Sequence, residues 1–92
     1  MPTGTLNYGT PVAISSSKNV LPTDGAMLGI FCSSSSSGTC TIYDSATTGT
    51  GTTIVAVFNL TAGTWYELPI TCANGFYIVL GGTAAITAVV AS

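Results

Sequence analysis

Through the second half of the chain the apolar positions sort into two alternating sets. Ile54, Ala56, Phe58 and Leu60 fall on one set of alternate positions, and Thr53, Val55 and Val57 on the other. Phe76, Ile78 and Leu80 likewise oppose Tyr77 and Val79, and Ile86, Ala88 and Val90 oppose Ala85, Thr87 and Val89. A period of two marks a β-strand, because successive side chains point to opposite faces. No window carries apolar residues at helical spacing among helix formers, and β-branched residues dominate. The pattern predicts strands at residues 11–16, 27–33, 39–44, 52–60, 64–72, 76–80 and 84–91. Between them, Gly, Ser and Asn mark a serine loop at 34–38, turns at 45–51 and 61–63, Ala73-Asn74-Gly75, and Gly81-Gly82. Asn-Gly is the most specific of these signals, because it tolerates the positive φ of a tight hairpin.

Short strands recurring every 8 to 12 residues or so are the signature of a sandwich or barrel. The expected fold is all-β: an antiparallel β-sandwich, jelly-roll-like, of about seven to eight short strands. Residues 1–10 lack a pattern and read as a flexible N-terminal arm, leaving 11–92 as a single domain. At 92 residues the chain has room for one core, and a domain of this size buries a smaller share of its surface than a larger one.

The strands are apolar or neutral on both faces, whereas a sheet with one wet face alternates apolar with polar. Two covered faces would need three layers, which 92 residues cannot build. The second face is therefore expected to meet other subunits, with Val55, Val57, Trp65, Tyr77, Val79 and Val89 as candidate interface residues. Trp65 and Tyr66 are neighbours on one strand and must point to opposite sides. Tyr66 shares its side with Leu68, Ile70 and Cys72 and is assigned to the core; Trp65 shares its side with Glu67.

Composition sharpens this picture. Charged residues are 4% of the chain, against about 25% in an average soluble domain, while hydrophobic residues are 47%. Ser, Thr and Gly stand where charges usually do. With mean hydropathy +0.62 and net charge -2, the chain lacks the low hydrophobicity and high charge of disordered segments. A membrane-spanning helix needs roughly 18 uninterrupted apolar residues, and the best candidate, 76–90, is broken by Gly81, Gly82, Thr83 and Thr87. No charged n-region precedes an apolar h-region at the start, so a secretory signal is not expected.

The inventory of reactive groups is short. With no histidine there is no Ser-His or Cys-His couple and no histidine metal site. Asp24, Asp44 and Glu67 lie on three separate segments, the first two beside turn signals. Gly49-Thr50-Gly51 lacks the lysine and helix of a phosphate loop. A single Lys/Arg, Lys18, cannot track a phosphate backbone, so nucleic acid is not an expected partner. Cys32, Cys40 and Cys72 have neither CxxC spacing nor the four ligands of a structural zinc site. They read as small buried residues, with a Cys32–Cys40 disulfide across a hairpin as the alternative. The expectation is a non-enzyme without cofactor or metal. The aromatics Trp65, Tyr66 and Tyr77 leave a sugar-stacking platform as a second reading.

Several blocks in order carry a resemblance. They are Leu28-Gly29-Ile30-Phe31 before the serine loop, Gly38-Thr39 leading into Thr41-Ile42-Tyr43-Asp44, and Thr61-Ala62-Gly63-Thr64-Trp65-Tyr66. Leu68-Pro69-Ile70, Ala73-Asn74-Gly75 with Tyr77, and Gly81-Gly82-Thr83-Ala84 follow. Together they resemble small tailed-bacteriophage virion accessory proteins. The resemblance implies a β-sandwich or jelly roll that decorates or cements a capsid, as a homotrimer on the major capsid protein. It implies a virion location at the capsid surface after synthesis in the host cytoplasm. The alternative function is a carbohydrate-binding module or a fibre or tail accessory adhesin.

Overall fold

The structure is a computed structural model that describes residues 9–47 and 51–91. Most of the arm expected at 1–10, and the middle of the 45–51 turn, lie outside the described residues. The chain forms strands β1 (Thr10–Ile14), β2 (Lys18–Leu21), β3 (Gly25–Asp44), β4 (Thr52–Asn59), β5 (Thr64–Cys72) and β6 (Phe76–Ala91). All six join one antiparallel sheet, and there is no helix among the described residues.

Two strands dominate. β3, of 20 residues, and β6, of 16, pair along their whole length, from Ala26 opposite Ala91 to Asp44 opposite Phe76. The shorter strands flank this ribbon in two halves. In the first half β1 lies on β6, with Thr10 opposite Val90 and Ile14 opposite Ile86. On the other side of the same half β5 lies on β3, from Gly25 opposite Cys72 to Cys32 opposite Thr64. In the second half β2 lies on β6 near Phe76–Ile78, and β4 on β3 from Thr39 to Asp44.

Two expected breaks are therefore corrected. Residues 34–38 are not a free loop, and Gly81-Gly82 is not a turn between strands. Ser34, Ser35 and Ser36 pair with Ala85, Ala84 and Thr83, and Thr39 pairs with Gly81. The ladder continues because it joins backbone groups, and its irregularities are absorbed as bulges. Register shifts fall between Met27 and Gly29, between Cys32 and Ser34, and between Ser36 and Thr39. At the last, Ser37-Gly38 faces Gly82 alone; Ser37 has φ 55° and Gly82 φ 66°. Such bulges bend the strand and increase its twist. The serines answer the local carbonyls: Ser33 Oγ donates to Ala85 O, and Ser35 Oγ donates to Leu60 O. Ser35 Oγ also accepts the Gly38 N–H. A serine-rich stretch is thus suited to a bent strand as well as to a loop.

β2 has no counterpart among the expected strands. Val20 and Leu21 are adjacent yet both buried, at a register shift between Asn19 and Leu21. That shift erases the alternation by which a four-residue strand would be recognised. The Asn19 side-chain amide holds this end, donating to the carbonyls of Leu21, Phe76 and Ser45. The Asn74-Gly75 turn stands where expected between β5 and β6, with Gly75 at φ 148° against the Leu21 carbonyl.

One face of the sheet is buried. Met27, Ile30, Cys32, Ile86, Ala88 and Val90 of the first half join Cys40, Ile42, Phe76 and Ile78 of the second in a single cluster. Met27 and Ile30 are three residues apart, and strict alternation would send them to opposite faces; the bulge at Leu28 keeps both inside. No described buried polar side-chain atom lacks a hydrogen bond.

The bend at Gly82 generates a stability prediction. A Cβ there would meet the Ser37 carbonyl, whereas Gly63, also at positive φ (77°), has open space around it. Both substitutions to Ala strain the backbone by about 1 kcal/mol, and Gly82→Ala adds a backbone clash. Urea unfolding should show Gly82→Ala losing clearly more stability than Gly63→Ala; equal losses would contradict the bend.

Candidate functional site

The exposed face carries the residues of interest. Cross-strand register in the first half sets Ala13, Thr87, Phe31 and Trp65 in one row, and Pro11, Val89, Gly29 and Glu67 in the next. Trp65 is 46% exposed and Phe31 40%, with Leu28 at 39% beside them on the bulge. Any Cβ on Gly29 would lie 2.5 Å from Trp65 Cζ2. The indole therefore lies across the bare α-carbon of Gly29, a diagonal neighbour, with much of its surface open to solvent. A glycine is needed here for close approach.

Tyr66, next in sequence, turns the other way, as its neighbours on the strand require. It packs against the core cluster, with its ring centroid 5.3 Å from that of Phe58 and the planes tilted by 56°. Its hydroxyl accepts the Thr61 N–H at 2.8 Å and donates to Asn59 O at 3.3 Å, clasping the turn from β4 to β5.

The six candidate interface residues do not form one patch. Trp65 and Val89 belong to the first half, whereas Tyr77 and Val79 lie in the second, opposite Tyr43 and Thr41. Val57 is also in the second half and, at 65%, is the most exposed large apolar residue among the described residues. Val55 pairs with Ile42 and is partly buried against the core, as is Ile54. Register shifts on both sides of Ile42 break the alternation of β4, so the face read from sequence does not hold there. Phe31 and Leu28 were not among the expected residues. Ile30 and Cys32 as inward positions would have turned Phe31 outward by alternation, but the bulge that exposes Leu28 has no sequence signal.

The cysteines are all free, with Cys32 and Cys40 buried and Cys72 partly so. Cys32 and Cys40 share one strand and pair with Ile86 and Leu80, so they do not face each other across a hairpin as the bridged alternative required. Burial, and secondarily Cys32, pushes the Cys40 thiol up to about 12, far from the reactive thiolate range. Among the described residues no three His, Cys, Asp or Glu side chains cluster as metal ligands would. No helix among them is long and apolar enough to cross a membrane.

Asp44 serves the turn. Its carboxylate accepts Asn74 N–H at 2.8 Å and Ala73 N–H at 3.2 Å. The Asn74 N–H, with help from Ala73 and Gly75, holds the carboxyl below the usual carboxylate range. The arrangement offers a charge-poor sheet surface on which aromatic and aliphatic groups are exposed. No protein-family model, curated protein or solved structure matches the chain.

Two measurements check this geometry. Tyr66→Ala removes a core ring and both hydroxyl bonds and should cost about 3 kcal/mol or more in denaturant unfolding. Trp65→Ala should cost about 1 kcal/mol or less, as an exposed position does; the reverse order would overturn the assignment of faces. A lowered carboxyl pKa stabilises the fold above the unfolded value, and this stabilisation is lost as pH falls through the folded value. Wild-type stability should therefore drop below about pH 4, and Asp44→Asn should flatten that drop; an unchanged acid profile would contradict the clasp.

Proposed function

We propose that this chain is a structural virion protein that decorates or cements a tailed-phage capsid, binding the capsid surface and its own copies. The observation that carries the reading is the open Trp65–Phe31–Leu28 surface on a sheet with almost no charge to keep copies apart. The resemblance supplies the setting: the major capsid protein as partner, a homotrimer as the unit, and the capsid surface as the location.

The fold proposed with it is a jelly-roll sandwich. The two halves of the β3–β6 ribbon would close on each other, each contributing a four-strand layer: β1-β6-β3-β5 and β2-β6-β3-β4. Several observations support this. Side chains from both halves belong to one buried cluster, and a single open layer leaves its apolar face wet. The radius of gyration, 12.6 Å, is close to the roughly 12 Å of a compact chain of this length. Alternate pairing of short strands on a bent ribbon is also the jelly-roll plan.

A second reading, a carbohydrate-binding module or tail adhesin, draws on the same half-open indole, which offers a flat face for a sugar ring. Light scattering on the purified chain and retardation in polysaccharide gels separate the two. The cement reading predicts an assembled species, and Trp65→Ala should weaken docking to tailed-phage heads at least tenfold. A stable monomer at high concentration that is retained by polysaccharide would overturn it in favour of the adhesin.

A further inference from the structure

A sheet whose outer strands are open risks pairing with other chains, and folded proteins blunt such edges with proline, charge or brevity. Among the described residues this sheet has four outer strands, and three carry such a device. β1 contains Pro11, which has no N–H to donate. β2 has four residues and begins with Lys18. β5 carries both Glu67 and Pro69. The fourth, β4, reads Thr-Thr-Ile-Val-Ala-Val-Phe-Asn: eight residues with no charge and no proline, whose one device is the pair of register shifts opposite Ile42.

β4 pairs only with β3 among the described residues, so its other side is an unused ladder. Thr52, Thr53, Ala56, Val57 and Asn59 are exposed along it. From this contrast we infer that β4 is a self-pairing edge, on which β4 of a second copy lies antiparallel to continue the sheet across a two-fold axis.

A second copy is the occupant that the chemistry favours. Antiparallel pairing of a strand with its own copy sets only the residues near the two-fold axis against themselves, and charges of one sign there would repel. β4 has none. The blocked edges elsewhere leave β4 as the matching strand on the partner too, so the contact is isologous and closes after two copies, without growing into a fibre. An eight-residue edge buries less than the roughly 800 Å² per partner of a stable interface. Pairing is accordingly reversible and depends on concentration.

This inference rests on the proposed reading only in that copies of the chain meet; it names where. Its two-fold symmetry makes the assembly even-numbered: a dimer alone, or two trimers joined if the Trp65 face also closes a ring.

Hydrogen exchange read by mass spectrometry, with sedimentation equilibrium on the same full-length samples, tests it. Amides of residues 52–59 should exchange at least tenfold more slowly at concentrations where the mass has doubled. Amides of β1, β2 and β5 should keep their rates. Val57→Lys, at an exposed position, should halve the mass with the circular dichroism unchanged, and the wild-type exchange pattern stands as a test without any variant. Self-association without slowed exchange at 52–59, an odd-numbered limiting species, or a monomer at every concentration would each overturn the self-pairing edge. A trimer lacking protection at β4 leaves the capsid reading intact, whereas a monomer retained by polysaccharide removes both.

Discussion

The continuous ladder between β3 and β6 is the constraint on which everything else depends. Among the described residues, each of the other four strands pairs with one of these two and with nothing else in the sheet. A ribbon this long must curve, or its apolar side stays in water; yet every buried N–H and C=O along it must keep a partner. Bulges meet both requirements. They add residues to β3 at Leu28, Ser33 and Ser37-Gly38 while β6 runs past, and serine hydroxyls take up backbone groups beside them. Gly82 matters because it faces the Ser37-Gly38 bulge, where a side chain would press on Ser37.

The curvature also determines what the surface can be. Once Met27, Ile30, Cys32 and Ile86 turn inward, Phe31 and Thr87 must turn outward, and β5 brings Trp65 alongside them. The exposed indole is thus fixed by register at the edge of the first half, held over a glycine that leaves room for it. In most small domains such a face would carry several charges; this one carries Glu67. Here the charged groups are one Lys/Arg and three Asp/Glu, and Asp44 among them is occupied by a turn. The capsid reading takes this charge-poor surface as a place of contact.

Much of this was legible in the sequence, and what was not has a single physical origin. Alternation at Phe76–Leu80 and 84–91 and the opposed directions of Trp65 and Tyr66 follow from period-two geometry, which the chain obeys there, and the Asn74-Gly75 turn from the positive φ it tolerates. The failures cluster at bulges. Serines at 34–38 and glycines at 81–82 look like turn formers, because a bulge and a turn need the same small, conformationally tolerant residues. Val20-Leu21 was passed over, and Ile54 and Val55 are both partly buried, because a register shift erases alternation locally. Alternation with Ile30 and Cys32 turns Phe31 outward, but its place beside Trp65 comes from pairing with a strand more than thirty residues away, and Leu28 is exposed by a bulge.

The central claim is that this surface meets a capsid and other copies of the chain. Electron cryomicroscopy of tailed-phage heads assembled with and without the chain tests it most directly. The account predicts added density on the outer capsid lattice, with the Trp65–Phe31 face buried against the major capsid protein. Heads that look the same in both preparations, with the chain left free in solution or bound to host glycan at the tail, would contradict it.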